Sequence, residues 1–326
     1  METVKNIIEK RGKEAREKAR KEILGLPYEG GIVQEALRHF ARVTLRGVLP
    51  VFPALISLSC EAVGGKTEKT VSIGAAMALI AGAADVHDDV IDKSVVKDSK
   101  PTVFGKFGKD IAILTGDALL LQGLILLHKE CESLPKEDRD AIIDLLRRAS
   151  FEISHAEALE TRLRKKPDLQ PQEYLEIIKM KAVIPDLHSR IGAILGDGNA
   201  EKIEALGHYG RVFGIVSAIR DDFVDLLEYP ELQNRLKNEC PPLPMLYALQ
   251  DPETKTQIAQ FLEGRKLTER RTLKLVDMIL STKEVQELKE EMNAMIQKEN
   301  ETLNLPENLE VQEQLKLLLR AIMVEL

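Results

Sequence analysis

The strongest constraint in this sequence is an aspartate pattern that occurs twice, each time at the end of an apolar stretch. The two copies have the form Asp-Asp-x-x-Asp and consist of Asp88, Asp89 and Asp92 and of Asp221, Asp222 and Asp225. The apolar stretches cover residues 75–84 and 210–219. In a helix, residues four positions apart lie on one face, one turn apart. The pattern therefore predicts two helices that each end in a group of carboxylates.

These carboxylates predict bound cations. Aspartate is a poor residue for the interior of a helix, and like charges one turn apart repel each other by about 1 kcal/mol in water and by more when partly buried. Aspartate oxygens suit hard ions, and Mg²⁺ takes one or two carboxylates together with water and substrate phosphates. The alternative is that both clusters are solvated helix ends. The occurrence of two identical clusters in matched contexts argues against this alternative. The chemistry that fits is metal-assisted departure of a diphosphate in an apolar site.

The rest of the sequence favours helices as well. Aromatic residues make up 4% of the chain, tryptophan is absent, and strand-forming patterns are rare. Apolar periodicity recurs along the whole length, and the predicted helical stretches include residues 69–93, 172–196 and 201–228. There is no linker, low-complexity tract or internal repeat. We therefore expect one all-α domain, a single large helical bundle, over residues 1–326.

Charge and cysteine content exclude several classes of protein. The net charge is −7 and no long basic stretch is present, so we expect no nucleic-acid partner. Cys60, Cys131 and Cys240 are far apart and odd in number, which indicates free thiols in a reducing, cytoplasmic compartment. The apolar stretches near 71–84 and 110–127 are interrupted or followed by charged residues, so we predict buried helices and no transmembrane segment.

In combination these residues resemble the trans-prenyl diphosphate synthase, or polyprenyl synthetase, family. Residues 87–92 resemble the first aspartate-rich motif of this family, and residues 221–225 resemble the second. The segment SLSCEAVGG at 57–65 resembles the family sequence before the first motif. The segment KPTVFGKFGKDIAILTGDALL at 100–120 resembles the sequence after it.

The resemblance implies a fold, a reaction and a set of ligands. The fold is the all-α bundle of the isoprenoid synthases, assembled as a homodimer. The substrate is an allylic prenyl diphosphate, and three Mg²⁺ ions are held by the six aspartates of the two clusters. Lys97 and Lys181 match basic positions of the family and are expected to bind the allylic diphosphate.

The second substrate of the family, isopentenyl diphosphate, is held by residues that are mostly missing here. The positions that lack the expected cation or polar group are residues 48–53, Ala81, Asp98, Ala182, Ala218 and, near a lysine position, Cys240. Arg235 and Lys237 are candidate replacements for the lysines of that region. A diphosphate needs several charge-assisted hydrogen bonds, and leaving it underpaired in an apolar pocket costs several kcal/mol. We therefore expect an unidentified acceptor other than isopentenyl diphosphate, neutral or aromatic.

Three residues just before the first cluster bear on specificity. In this family a bulky residue one turn before the motif closes the prenyl tunnel, so Ala83 and Ala84 imply a chain of about C20 or longer, with roughly three helical residues for each isoprene unit. The alternative is tight helix packing by small residues. Asp85 shares a face with the first cluster, and we hypothesise that it takes a proton from, or hydrogen-bonds, a hydroxylated acceptor. The alternative is a solvated or lysine-paired carboxylate.

Four functions stay open from the sequence. The favoured one is a Mg²⁺-dependent prenyltransferase whose acceptor is not isopentenyl diphosphate. A divergent chain-elongating synthase requires that residues outside the motifs rebuild the second site. A terpene synthase-like or hydrolytic enzyme needs no second diphosphate, although few aromatic residues are available to stabilise a carbocation. A non-catalytic subunit of a heteromeric synthase would not need all six aspartates.

Overall fold

The computed structural model describes residues 3–25, 30–47, 49–97, 99–164, 166–263 and 267–324. These residues are almost entirely helical, which confirms the all-α prediction. The elements in chain order are α1 (Val4–Leu24), α2 (Ile32–Gly47), α3 (Val51–Ala62), α4 (Glu68–Asp92), β1 (Val96–Lys97), β2 (Lys100–Pro101), α5 (Val103–Phe107), α6 (Lys109–Cys131), α7 (Lys136–Leu163), α8 (Pro171–Lys181), α9 (Val183–Leu195), α10 (Ala200–Leu227), α11 (Tyr229–Asn238), α12 (Leu243–Ala248), α13 (Pro252–Leu262), α14 (Glu269–Leu280), α15 (Lys283–Thr302) and α16 (Leu309–Ala321).

One predicted helix is divided. The stretch 172–196 forms α8 and α9, which are separated at Ala182. Pro185 lies in the first turn of α9, where its missing N–H needs no partner. In the middle of a continuous helix, the same proline would remove a hydrogen bond and clash with the preceding turn. The prediction of one continuous helix was therefore wrong at this point.

The chain forms two compact units. The first contains the described residues up to Arg148, Pro185–Gly210 and Asn304–Leu317. The second contains Ala149–Ile184, Arg211–Leu303 and the described residues from Leu318 onward. The sequence prediction of one domain over the whole chain stays a prediction.

The first unit is built around the pair α4 and α6, with α1 and α3 also packed on α4. Small residues allow this close approach. A Cβ atom added to Gly123 of α6 would lie 2.7 Å from Ile80 Cγ1, and one added to Gly82 of α4 would lie 2.4 Å from Phe40 Cζ. Because such distances are too short for carbon atoms, glycine is required at both contacts.

The end of α4 is fixed directly after the first aspartate cluster. Lys93 adopts a left-handed conformation with φ of 59°, and the N–H groups of Lys93 and Ser94 both donate to the Asp89 carbonyl. The chain then enters the antiparallel pair of β1 and β2, in which Lys97 is opposite Lys100. The Thr102 hydroxyl donates to the Ser94 carbonyl at 2.7 Å. These bonds hold the hairpin beside the last turn of α4.

In the second unit, α12 packs against α8, α14 and α15. The C-terminal part of α10 carries the second aspartate cluster, and its apolar side chains Phe223 and Leu226 are buried. Leu232 of α11 and Leu243 of α12 are buried in the same unit. Apolar burial therefore fixes the helix on which the second cluster lies.

Among the described residues, α4 and α6 are long and apolar enough to span a membrane by length and composition alone. The apolar segment of α4 is 56% buried within the protein and that of α6 is 39% buried. Core helices of globular proteins have the same length and composition, so these two helices are weak evidence for a membrane span.

Candidate active site

The first cluster lies in the last turn of α4. Asp89 is buried, while Asp88 and Asp92 are half-buried. The Oδ1 atom of Asp88 is shielded from solvent and has no hydrogen-bond partner among the residues that the structure describes. A buried carboxylate oxygen without a partner costs free energy unless a cation offsets it. The environment of Asp88 therefore fits a bound metal ion.

Lys97 approaches this cluster from β1. Its Nζ lies 2.8 Å from Asp89 Oδ1 and 3.0 Å from Asp85 Oδ1. Burial raises the pKa of Asp89 to about 7, and the nearby ammonium of Lys97 opposes this shift. The contact with Lys97 makes Asp85 a lysine-paired carboxylate, which is the alternative to the hypothesised contact with a hydroxylated acceptor.

These three side chains line a cleft in the first unit. The cleft has a volume of about 30 Å³, and its other walls come from α2, the β1–β2 hairpin and the start of α5. His39 and Phe40 of α2 contribute the aromatic part of the lining. The arrangement places the Lys97 ammonium and two carboxylates, those of Asp85 and Asp89, around one small opening beside the first cluster, a combination of charges that suits a metal–diphosphate complex.

In the second cluster, Asp222 is occupied by protein groups. Its Oδ1 accepts a hydrogen bond from Arg235 Nη2 at 2.9 Å, and its Oδ2 accepts one from the Leu243 N–H at 2.7 Å. Asp222 and Arg235 are both buried. The carboxylate of Asp222 therefore connects α10 with α11 and with the start of α12.

Arg235 also contacts three further polar side chains. Its Nη1 lies 3.6 Å from Asp225 Oδ2 and 3.5 Å from Glu239 Oε2, and its Nη2 donates to the Tyr174 hydroxyl at 2.8 Å. Burial raises the pKa of Asp225 to about 7, against the opposing effect of Arg235. The guanidinium is thus the central cation of a buried network.

Asp221 differs from its neighbours in the second cluster. Its side chain is 66% exposed, and Arg220 Nη1 donates to its Oδ1 at 3.1 Å. Since a surface ion pair of this kind is weak and easily exchanged, Asp221 keeps a carboxylate that can reach a ligand.

Lys181, at the end of α8, is also paired. Its Nζ lies 2.7 Å from Glu157 Oε1 and 2.5 Å from Glu160 Oε2. Glu160 is buried, and its carbonyl accepts a long hydrogen bond from Cys240 Sγ at 3.7 Å. These two glutamates could not be predicted as partners of Lys181, because they resemble ordinary charged residues on the mixed-charge helix α7.

Among the described residues, no group of three or more His, Cys, Asp or Glu side chains is preorganised as a metal site. This arrangement is compatible with Mg²⁺, which takes few protein ligands and completes its octahedron with water and phosphate oxygens. Asp88 has the unpaired oxygen that such an ion would use. Asp222 has both oxygens engaged by protein donors.

The two alanines predicted to line a prenyl tunnel differ in environment. Ala83 is 1% exposed, whereas Ala84 is exposed. The small-residue packing that the sequence left open as an alternative therefore describes Ala83. Ala84 has the free surface that contact with a prenyl chain requires.

Residues 48–53, where the family has basic side chains for isopentenyl diphosphate, are largely packed into the first unit. Val48 and Asp98 lie outside the described residues. Phe52 stacks on the buried ring of His188, with ring centroids 4.9 Å apart, and Pro53 is buried. Ala81 is half-buried. The described part of this stretch is therefore apolar in structure as well as in sequence.

Comparison with known proteins identifies the family. The sequence profile of the polyprenyl synthetase family matches residues 43–279. The chain is 30% identical over 233 residues to the short chain isoprenyl diphosphate synthase of Methanothermobacter thermautotrophicus, covering 71% of this chain and 69% of that protein. It is 31% identical over 175 residues to the geranylgeranyl diphosphate synthase of Sulfolobus acidocaldarius, covering 53% of each protein, so the match spans about half of that relative.

Solved structures show the same fold. The geranylgeranyl pyrophosphate synthetase of Pyrococcus horikoshii superposes with a TM-score of 0.84 at 26% identity, covering 98% of both chains. The geranylgeranyl pyrophosphate synthase of Corynebacterium glutamicum, solved with isoprenyl diphosphate and magnesium, also gives 0.84, at 21% identity and covering 98% of this chain and 99% of that one. The chain belongs to the polyprenyl synthetase family, a family of prenyltransferases.

Proposed function

We propose that this protein ionises an allylic prenyl diphosphate of about C20 or longer with Mg²⁺ and transfers the prenyl group to an acceptor other than isopentenyl diphosphate. The observation that carries the proposal is the buried, unpaired Oδ1 of Asp88, next in sequence to Asp89, whose carboxylate pairs with the ammonium of Lys97. An oxygen in this position favours a metal ion, and the ammonium favours the diphosphate that the ion would bind.

The metal would be held by Asp88 and Asp92 at the end of α4, with Asp89 oriented by Lys97. Mg²⁺ bound there would stabilise the negative charge that develops on the departing diphosphate. In the second cluster, Asp221 is the carboxylate that we propose as a metal ligand, because Asp222 is engaged by Arg235 and Leu243. Asp225 is drawn toward the same guanidinium and is a weaker candidate.

Two lysines would contribute to binding of the allylic diphosphate. Lys97 lies beside the first cluster, where Asp85 and Asp89 hold its ammonium. We propose that Asp85 is a positioning residue that orients Lys97; its hypothesised proton transfer with an acceptor remains open. Lys181 stays a predicted ligand of the diphosphate, and its ammonium would have to leave Glu157 and Glu160 in order to bind.

The length of the prenyl chain is supported by the small exposed side chain of Ala84 and by the relatives. Several proteins that match this sequence carry the name geranylgeranyl diphosphate synthase. The same names favour a second candidate function, in which the protein elongates a prenyl diphosphate. That function requires a binding site for a second phosphate-bearing substrate outside the apolar stretch near Phe52.

We propose a homodimer that forms through α6. Leu114, Leu121 and Ile125 are each more than half exposed and, at spacings of seven and four, lie on one face of this helix. A second copy of the chain would cover this apolar face. The side chain of Asp117 on the same helix is 62% exposed, which suits a protein interface better than lipid.

We propose a cytoplasmic location, because the three cysteines are free and buried. Oxidising compartments favour disulfides, and the structure pairs none of Cys60, Cys131 and Cys240.

The function is tested by incubating the protein with Mg²⁺ and allylic diphosphates from C10 to C25, with and without isopentenyl diphosphate, while diphosphate release and products are measured. The proposal is supported if a long allylic diphosphate is slowly consumed and if adding isopentenyl diphosphate changes neither the rate nor the products. Longer prenyl diphosphates that appear only with isopentenyl diphosphate establish the elongating function. Asp88→Asn should abolish either activity, whereas Asp110→Asn at the exposed start of α6 should not.

A further inference from the structure

Helices α2 and α5 present a group of basic side chains on the surface of the first unit. Arg38 and Arg42 are four positions apart on α2 and therefore share a face, and Lys106 comes from α5. Together with Glu35, His39 and Phe107, they line a cavity of about 240 Å³. We call this cavity the basic cavity.

The charges of the basic cavity are not balanced within it. Arg38 and Arg42 form no ion pair with any residue that the structure describes, and Glu35 is the one acidic residue in the lining. Three cations and one carboxylate leave an excess of positive charge in a protein whose net charge is −7. Like charges on one wall repel each other unless an anion lies between them.

Lys106 is held in place by the side chains around it. The His39 Nε2–H donates to the Pro101 carbonyl at 2.8 Å, so its Nδ1 is free to accept from Lys106 Nζ at 3.5 Å. The ammonium also lies 5.2 Å from the centre of the Phe107 ring. A fixed ammonium loses less conformational entropy on binding an anion than a free one.

The basic cavity adjoins the cleft of the first aspartate cluster. His39 lines both: one wall of the basic cavity, and the cleft that contains Asp85, Asp89 and Lys97. A molecule whose phosphate group lies in the basic cavity would therefore have its remainder near the proposed site of ionisation. Both cavities lie within the first unit.

We propose that the basic cavity binds the phosphate or diphosphate group of the acceptor. This inference rests on the proposed prenyl transfer and assigns a chemical class to its second substrate, a phosphate ester, in place of the neutral or aromatic acceptor that the sequence led us to expect. The cations that the family places near residues 49–53 are replaced here by an apolar stretch, and Arg38, Arg42 and Lys106 supply positive charge at a different place. Arginine suits this task because its planar group binds phosphate oxygens in pairs.

The test uses the full chain without Mg²⁺ and with a chelator, so that binding through metal is suppressed. Inorganic diphosphate is titrated by calorimetry against the parent and against Arg38→Gln/Arg42→Gln. We expect binding to weaken by about tenfold or more, because the substitutions remove charge-assisted hydrogen bonds to the anion. The single variant Arg42→Gln, at an exposed position, should show part of the loss even if the double variant folds poorly.

The matched control is Arg147→Gln/Arg148→Gln, which removes the same charge from the exposed surface of α7. Equal affinity of the parent and of Arg38→Gln/Arg42→Gln for diphosphate would overturn the assignment, as would an equal loss in the control. If the parent consumes no allylic diphosphate under any condition, the proposed function fails. In that case, the diphosphate titration still tests whether the basic cavity binds a diphosphate group.

A lipid headgroup carries the same phosphate chemistry, so a second arm uses vesicles of phosphatidylcholine with and without phosphatidic acid. Binding of soluble diphosphate that depends on Arg38 and Arg42, without binding to the phosphatidic acid vesicles, supports an acceptor site. Binding to these vesicles that depends on both arginines, without binding of soluble diphosphate, would make the cavity a membrane contact and overturn the proposal.

Discussion

The guanidinium of Arg235 lies 2.9 Å from Asp222 Oδ1, within the aspartate cluster for which the sequence predicts metal ions. The Leu243 N–H occupies the other oxygen of Asp222 at 2.7 Å. A cation of the protein therefore stands beside this carboxylate. The second cluster thus contains a buried aspartate that connects three helices, a half-buried one, Asp225, near the same guanidinium, and an exposed one, Asp221, that remains available to a ligand.

The first prediction concerns the stability that Arg235 provides. We expect Arg235→Gln to lower the free energy of unfolding by about 3–5 kcal/mol, because the carboxylates of Asp222, Asp225 and Glu239 would remain buried without their cation. The measurement is denaturant unfolding of the metal-free protein. Addition of Mg²⁺ should restore part of the loss in the variant and give a smaller gain in the parent.

A suitable control is Arg148→Gln, since this arginine is 72% exposed and pairs only at the surface. Its effect should stay within about 0.5 kcal/mol. An Arg235→Gln variant that is as stable as the parent would show that the guanidinium does not balance this cluster.

The second prediction separates two neighbouring aspartates. Asp221→Asn should raise the Mg²⁺ concentration needed for half-maximal activity while leaving stability nearly unchanged, because its side chain is 66% exposed. Asp222→Asn should instead lower stability by a few kcal/mol through the loss of charge beside Arg235. Unfolding midpoints and Mg²⁺ titrations of activity distinguish the two. Equal effects of both substitutions on the Mg²⁺ requirement would contradict the assignment.

Long periodic stretches made most of the fold predictable. The helices carrying the two clusters were predicted at 69–93 and 201–228 and are observed at Glu68–Asp92 and Ala200–Leu227. Apolar burial and helical propensity act in the same direction there, so local sequence is sufficient. The break at Ala182 does not follow from the apolar periodicity, because the periodicity continues across it. The local signal for the break is Pro185, which is favoured in the first turn of a new helix.

The partners of the clusters were much less predictable. Arg235 was a candidate replacement for a family lysine, but its pairing with Asp222, 13 positions away across a turn, depends on the path of α11. The N–H of Leu243, 21 positions away, is invisible to any side-chain pattern. Lys97, in contrast, matches a basic position of the family, and this resemblance is the basis for expecting it to bind the allylic diphosphate.

The third prediction is a pH dependence of metal binding. Burial raises the pKa of Asp89 from 3.8 to about 7. The folded state therefore holds a proton that the unfolded state releases, and the resulting stabilisation, complete below pH 4, is lost as the pH rises through 7. Mg²⁺ bound by the neighbouring Asp88 and Asp92 would favour the ionised form of Asp89 and release this proton, so its apparent affinity should be up to about tenfold lower at pH 6 than at pH 8.

The measurement is the rise in thermal midpoint with Mg²⁺ at the two pH values. The rise should be larger at pH 8 than at pH 6. In Asp89→Asn, which has no proton to displace, the difference between the two pH values should shrink. An equal rise at both pH values in the parent would exclude a metal site coupled to Asp89.

The fourth prediction uses the different environments of the two alanines. Ala84→Phe should shorten the longest allylic diphosphate that is consumed, with little effect on stability, because Ala84 is exposed. Ala83→Phe should destabilise the fold by about 1–3 kcal/mol or more, because its side chain is fully packed. Turnover across the C10 to C25 series and thermal midpoints report the two effects. If Ala84→Phe left the range of accepted chain lengths unchanged, Ala84 would not line the prenyl site.

The fifth prediction concerns assembly through α6. Leu121 and Ile125 are one turn apart, and their side chains are 61% and 53% exposed, so a second copy can bury both. Leu121→Glu would place a carboxylate in that apolar contact, and we expect the dimer to dissociate at least tenfold more readily, since desolvating an unpaired charge is costly. Sedimentation velocity over a range of concentrations measures the effect.

The control is Leu273→Glu on α14, because Leu273 is similarly exposed, at 57%, and lies on a different helix. A parent that sediments as a monomer, or a Leu121→Glu variant that sediments like the control, would show that this face serves another purpose. A shift confined to Leu121→Glu would identify α6 as the surface through which two copies associate.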